Sequence, residues 1–227
     1  MNSHILFIED DADIRQVIAT ALRDDGFSMS EATTGEEGLA MLESTPCDLA
    51  LIDLRLPGMN GISVVREMRR ATEIPLVILT AHGDSHDVVA ALEAGADDFL
   101  NKPIGTKELS ARLRAILRRT SLIPDKDEPS ELRLGSLVIL PATHQVFVDD
   151  TEVGFTRTEY LVLLELISRA PSTVSRMDLL ERVWGYDYLG DSRLVDMQIY
   201  RIRAKLEPFG LKDKLATVRG VGFKLTA

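Results

Sequence analysis

The run Asp48-Leu49-Ala50-Leu51-Ile52-Asp53, followed closely by Pro57-Gly58-Met59-Asn60-Gly61, limits the possible folds more than any other feature of this chain. A short, unbroken apolar run stopped by turn formers predicts a buried strand. Asp53 then sits at the strand's C-terminal tip. In an open parallel sheet the ligand crevice lies at the carboxyl ends of the strands. Three more β-like runs end in groups that suit the same crevice. Ile5–Ile8 leads into Glu9-Asp10-Asp11, Pro75–Leu79 into Thr80, and Phe99-Leu100-Asn101 into Lys102-Pro103. Acids, a hydroxyl and a lysine gathered on one sheet edge describe a site for Mg²⁺ and a phosphoryl group.

Residues 1–120 alternate β-like runs with amphipathic helical segments, five of each. That alternation predicts an α/β, doubly wound (βα)5 domain with a parallel sheet covered on both faces. Ile14, Val17, Ile18, Ala21 and Leu22 keep helical spacing before Gly26. Leu109, Leu113, Ile116 and Leu117 mark a last helix ending in Arg118-Arg119, cations suited to a helix C-terminus. Residues 121–131 carry two prolines and five charges without a periodic face, which predicts a linker. Residues 132–227 then form a different, mainly α domain. It begins with short β-like runs (132–140, 144–149, 152–155) and a capping box, Thr156 to Glu159. Helical segments follow to about 167, at about 175–184 and at 192–207, with a terminal hairpin around Gly220-Val221-Gly222.

Charge is unevenly spread. The chain has a net charge of −10 and a pI near 4.9, which argues against indiscriminate binding to nucleic acid or anionic lipid. Residues 1–121 hold 12 Lys+Arg against 20 Asp+Glu, whereas 132–227 hold 13 against 12. Any DNA contact must therefore come from a local cluster in the second domain. No apolar run is long enough to span a bilayer, and neither a signal peptide nor a lipidation motif is visible. A cytoplasmic protein without a membrane partner is expected. Cys47 is the sole cysteine, so it is read as a packing residue.

The carboxylates of Glu9, Asp10 and Asp53 can share one hard cation through oxygen while leaving room for water and phosphate oxygens, the usual manner of Mg²⁺. Asp53 can also attack phosphorus to give an aspartyl phosphate. Lys102 supplies a point charge for the phosphoryl oxygens, and Thr80 a hydroxyl donor. Each residue alone has an ordinary reading as a turn, a cap or a solvated loop. In this order and spacing, coincidence is a poor account.

Glu9-Asp10-Asp11, Asp53 with its Leu-Pro-Gly-Met-Asn-Gly sequel, Thr80-Ala81, Gly95-Ala96-Asp97-Asp98-Phe99 and Lys102-Pro103 resemble the receiver domain of bacterial two-component response regulators, over about residues 3–119. The resemblance implies that Asp53 accepts phosphate from a sensor histidine kinase. It implies Asp10 and Asp53 as direct metal ligands, Glu9 acting through water, and the backbone carbonyl of Arg55 completing the shell. Thr80 and Phe99 match a switch pair that carries phosphorylation to the far face, the ring turning inward. Asp97, Asp98, Glu108, Arg112 and Arg119 match a homodimer interface. The chain departs from the family pattern at Val88, where a basic residue is usual, at His82 in place of Arg, and at Ile104 in place of Phe.

The segment 192–207 is basic. Val195, Ile199, Ile202 and Leu206 share one face, and Arg193, Met197, Tyr200, Arg201 and Ala204 lie opposite, with Arg203 and Lys205 on the flanks. Ser192 suits an N-cap. Arg193, Met197, Tyr200, Arg201, Arg203 and Lys205 are the candidate DNA contacts of this helix, since Arg can meet guanine edges or phosphates, although charge on a solvated helix face is the common alternative. Leu179–Gly185, Arg193–Asp196, Arg201–Leu206 and Thr217–Phe223 resemble the winged helix-turn-helix of OmpR/PhoB-type regulators, over about 132–227. The resemblance implies a recognition helix at 192–207 and a wing carrying Arg219 to the minor groove. It implies backbone contacts by Trp184 and Thr217, and an RNA polymerase contact in the loop 185–191. Sequence preference is expected from the exposed positions Leu194, Met197, Gln198, Tyr200 and Arg201.

Together these features predict a phosphorylation-switched regulator that dimerises and binds double-stranded promoter DNA. The alternative is a regulator that dimerises constitutively without phosphate. An enzyme is not expected. An aspartate-nucleophile phosphatase needs a second Asp where Arg55 stands, and no nucleotide-binding glycine loop is present.

Overall fold

Strand alternation sorts the side chains of the first unit into two layers. In the computed structural model, which describes residues 3–81, 85–120, 130–185 and 192–227, the chain divides into units Met1–Arg118 and Arg119–Ala227. The first holds β1 (His4–Ile8), β2 (Ser28–Ala32), β3 (Leu49–Asp53), β4 (Leu76–Thr80) and β5 (Asp98–Asn101), all parallel in the order β2-β1-β3-β4-β5. Helices α1 (Ala12–Asp24), α2 (Gly35–Ser44), α3 (Gly61–Ala71), α4 (Ser85–Ala94) and α5 (Thr106–Thr120) connect and follow them. Ile5, Phe7, Leu49, Leu51, Val77 and Leu79 pack with Ile18 and Leu22 of α1 and with Leu109, Leu113 and Ile116 of α5. The intervening Leu6, Ile8, Ala50, Ile52 and Ile78 are equally buried and point to the other face. This is the expected (βα)5 arrangement.

Local chemistry fixes the loops at the C-terminal edge of the sheet. Asp11 caps α1 by accepting from the amides of Asp13 (2.9 Å) and Ile14 (3.0 Å), so the third acid of Glu9-Asp10-Asp11 is committed to the helix. Asn60 caps α3 through the Ser63 amide. A Cβ at Gly61 would lie 2.3 Å from the Asp53 carbonyl oxygen. Only glycine allows α3 to start this close to the tip of β3.

The second unit opens with an antiparallel meander, β6 (Leu132–Leu134), β7 (Leu137–Leu140), β8 (Gln145–Val148) and β9 (Thr151–Glu152). The single run expected at 132–140 is thus two strands. Gly135, at φ +62°, turns the chain between them. The capping box of Thr156 and Glu159 opens α6 (Arg157–Ile167) as expected. Then come β10 (Val174–Ser175), α7 (Arg176–Leu179) running on as a π-helical turn to Trp184, and α8 (Arg193–Leu206). Strands β11 (Leu215–Val218) and β12 (Gly222–Leu225) form the terminal hairpin, with β10 on the outer side of β12. Ser192 does not cap α8, because its backbone is already helical and its side chain makes no cap bond. The expected linker falls almost wholly outside the described residues. No helix among the described residues is long and apolar enough to cross a membrane.

Candidate functional site

The strand register brings the tip residues together. Ile8 pairs with Ile52 and Asp53 with Leu79, so Glu9 and Asp10 emerge beside Asp53. Carboxylate oxygens of Glu9, Asp10 and Asp53 lie within 4.8 Å of one another. Lys102 enters from the end of β5, tied there by its amide to the Thr80 carbonyl at 2.6 Å. Its ammonium donates to Glu9 (2.6 Å) and Asp53 (3.1 Å). Glu9 and Asp53 are buried, whereas Asp10 is open to solvent.

Burial is the largest influence on both buried acids. It raises the pKa of Glu9 and of Asp53 above the ordinary carboxylate values, and Lys102 opposes the rise through charge and hydrogen bonding. Three acids around one ammonium are still short of positive charge. A small divalent cation with oxygen preference meets that deficit, so the residues present fit Mg²⁺. Thr80 is buried at the end of β4 beside this cluster.

One contributor was not anticipated. Arg15, on the first turns of α1, donates to the carbonyls of Glu9 (2.8 Å) and Asp10 (3.2 Å), and so clamps the loop that carries both acids. Its only sequence signal is its place five residues after Asp10. Phe99, the expected switch ring, is 9% exposed. Cys47 is half-buried, its thiol pushed up to about 11 by burial, in keeping with a packing role.

The residues expected at a dimer interface are differently disposed. Asp97 and Asp98 are both buried. Asp97 accepts from Arg69 (2.5 Å) and from the Leu76 amide (3.0 Å), and Asp98 from the Phe99 amide. Arg69 also bonds the Gly95, Thr72 and Ile74 carbonyls. Asp97 thus serves as an internal tie between α3 and β5. Val88 is fully buried, so an apolar residue suits the position. Glu108 and Arg112 pair with each other on α5 at 3.0 Å. The side chain of Arg119, and His82 with the turn 186–191, lie outside the described residues.

In the second unit, Val195, Ile199, Ile202 and Leu206 are buried, as the periodicity of α8 predicts. Tyr200 is 65% exposed, Arg193, Met197 and Arg201 are partly exposed, and Ala204 is open, forming the outer face. Leu194 and Gln198, expected to be exposed, are fully buried, because the core on α8 extends onto that flank. Lys205 extends along the same side to the buried Glu159 of α6 (2.6 Å) and lies over the Phe155 ring. Arg203, on the opposite flank, bonds Leu215 and Thr217 of β11, and burial lowers its pKa. Trp184 is 2% exposed. Its ring belongs to the core. Arg219 and Thr217 are exposed on the hairpin.

Comparison with known proteins agrees with both halves. Residues 5–114 match the response regulator receiver domain, and residues 150–225 the family described as transcriptional regulatory protein, C terminal. The chain is 42% identical over 222 residues to the transcriptional regulatory protein AfsQ1 of Streptomyces coelicolor, covering 97% of each. It is 40% identical over 230 residues to the DNA-binding response regulator MtrA of Mycobacterium tuberculosis, covering 99% of this chain and 97% of that one. A solved RitR mutant superposes with a TM-score of 0.77 at 26% identity over 99% of both chains. DrrB of Thermotoga maritima, an OmpR/PhoB homologue, gives 0.52 at 27% identity over 100% of both. The chain belongs to the OmpR/PhoB-type response regulators, transcriptional regulators that join a receiver domain to a winged helix-turn-helix DNA-binding domain.

Proposed function

We propose that Asp53 is the phosphoacceptor of this regulator and that its phosphorylation controls DNA binding. The observation that carries the reading is the convergence of Glu9, Asp10 and Asp53 around the ammonium of Lys102. A carboxylate oxygen of Asp53 attacks the phosphorus of a phosphohistidine on the sensor kinase. The new O–P bond forms as the P–N bond breaks, and the imidazole leaves with its electron pair. Lys102 and the Thr80 hydroxyl hold the phosphoryl oxygens, and transfer requires little beyond positioning and charge neutralisation. Asp10 and Asp53, Glu9 through water, and the Arg55 carbonyl would hold Mg²⁺, which supplies positive charge to the transferring group. Slow loss of the phosphoryl group to water resets the switch.

An aspartyl phosphate adds roughly one to two negative charges at the sheet edge. That charge draws Thr80 and Lys102 inward and alters the surface of α4, β5 and α5, through which two copies pair. Of the expected interface, Glu108 is exposed and Arg112 partly exposed, whereas Asp97 and Asp98 are buried in the single chain. Pairing sets two winged helices on successive half-sites about one helical turn apart, and affinity rises largely through effective concentration. On DNA, α8 enters the major groove with Arg193, Met197, Tyr200 and Arg201, while Arg219 on the hairpin meets the minor groove. Thr217 lies at the phosphate backbone, and the turn 185–191 is the contact offered to RNA polymerase.

The test is intact mass and solution size after treatment with Mg²⁺ and a small phosphodonor, beside Asp53→Ala. One phosphoryl adduct lost in the variant, with a shift from monomer to dimer, is expected. Absence of an adduct under conditions that label an ordinary receiver would leave a constitutive DNA-binding protein.

A further inference from the structure

Arg203 faces the wing, away from the outer face of α8. Its guanidinium donates twice to the Leu215 carbonyl (2.9 and 2.5 Å) and once to the Thr217 hydroxyl (2.8 Å). Its central carbon lies 5.9 Å from the centre of the Phe223 ring. Phe223 is 2% exposed in β12. The guanidinium of Arg176 lies 4.5 Å from the same ring and is held by Asp196 of α8 at 2.8 Å. Both strands of the hairpin are therefore tied to α8, β11 through Leu215 and Thr217, and β12 through Phe223.

Within the three-stranded sheet β12 is the central strand, paired with β10 at Phe223 and Gly222, so β11 is the edge strand and pairs in the sheet with β12 alone. The hairpin follows α8 through the short helical turns at 207–214. The seating of β11 against α8 is set by what grips that edge. A rigid fork with several donors can hold a carbonyl and a hydroxyl together, whereas a lysine ammonium offers a single point of charge.

We propose that Arg203 is a positioning residue for DNA reading. It fixes the wing against α8, so that Arg219 and the outer face of α8 address one duplex together. Arg203 itself does not hold a phosphate. Without this latch the edge strand β11 and the turn that carries Arg219 sample other positions, and the effective concentration of Arg219 at its groove falls. The inference rests on the reading that Arg219 contacts DNA.

A double-mutant cycle on the full chain tests it. The probe is the duplex that the wild-type protein enriches from a random-sequence library. Arg203→Lys and Arg219→Ala should each weaken binding by about tenfold, the loss expected for one specific contact. The double variant should be less than about twofold weaker than either single one, because a released wing has already lost its contact. All three should lose the same increment of salt slope. Arg203→Lys at wild-type affinity would overturn the proposal, since lysine keeps the charge that a phosphate contact needs. Additive losses with separate drops in salt slope would also overturn it. Failure of the underlying reading has a different signature, with Arg219→Ala alone leaving affinity unchanged. Arg203→Lys keeps the charge and the aliphatic stem, so a cooperative melt at the wild-type midpoint separates a lost latch from a lost fold.

Discussion

Lys102 lies between Glu9 and Asp53, its ammonium 2.6 Å from one carboxylate and 3.1 Å from the other. These are two of the three acids that would hold Mg²⁺, so the ammonium and the metal compete for the same oxygens. Lys102→Met should therefore bind Mg²⁺ about fivefold more tightly, the effect of ~1 kcal/mol of lost repulsion, while accepting phosphate more slowly. Titration calorimetry checks the first part. Equal or weaker Mg²⁺ affinity in the variant would mean that the two cations do not share ligands.

The raised pKa values of Glu9 and Asp53 set the sign of a pH effect. A carboxyl whose folded value lies above its unfolded value binds its proton more tightly when folded. The stability it contributes is full below the unfolded value and is lost as pH rises through the folded one. At neutral pH the two buried charges therefore cost stability. Asp53→Asn should raise the melting midpoint of the receiver at neutral pH, by an amount equivalent to about 1 kcal/mol, with a smaller gain near pH 4. A lower midpoint at neutral pH would show that attraction to Lys102 outweighs desolvation.

Arg15 bonds the carbonyls of Glu9 and Asp10 without touching either carboxylate. Its removal should loosen the acidic loop and leave the sheet intact. Arg15→Ala is expected to weaken Mg²⁺ binding several-fold and to slow labelling by a phosphodonor, since catalytic groups depend on the shell that supports them. If thermal stability falls while Mg²⁺ affinity is retained, Arg15 is only a fold residue.

At Gly61 a Cβ would meet the Asp53 carbonyl oxygen at 2.3 Å and the Leu54 Cα at 2.8 Å. Both are backbone and cannot rotate away. Gly61→Ala should destabilise the receiver by about 1–3 kcal/mol, the range for overpacking, and shift Asp53 from its partners. Urea unfolding of this variant beside Ser63→Ala separates a steric clash from an ordinary change in α3.

Much of the phosphoryl site was legible because its residues end apolar runs. A buried strand leaves no choice about where its last side chain stands, so Asp53, Thr80 and Lys102 could be placed by pattern alone. Arg15 could not, since its partners are backbone carbonyls and carbonyls have no sequence signature. Leu194 and Gln198 were misplaced for another reason. Periodicity locates the centre of a buried face, but its width depends on what packs against it. On α8 the flank of Leu194 and Gln198 continues to Lys205 and its tie to Glu159, 46 residues earlier. Asp97 illustrates the same limit. Its motif suggested a surface acid, and Arg69 on α3 holds it inside.

Tyr200 is the most exposed large side chain on α8, with Met197 one turn earlier on the same outer face. Neither carries charge at neutral pH, so neither can contribute to counterion release, which follows the number of phosphates neutralised. Their contribution must come from contact with base edges, and an aromatic or thioether group suits the thymine methyl. Tyr200→Ala should lower affinity for the preferred duplex by about 1 kcal/mol, leave affinity for unrelated DNA unchanged and keep the salt slope of the wild type. Selection from a random library should then show a weaker preference at one thymine-bearing position. Uniform weakening on every duplex, with a shallower salt slope, would instead assign Tyr200 to the phosphate backbone.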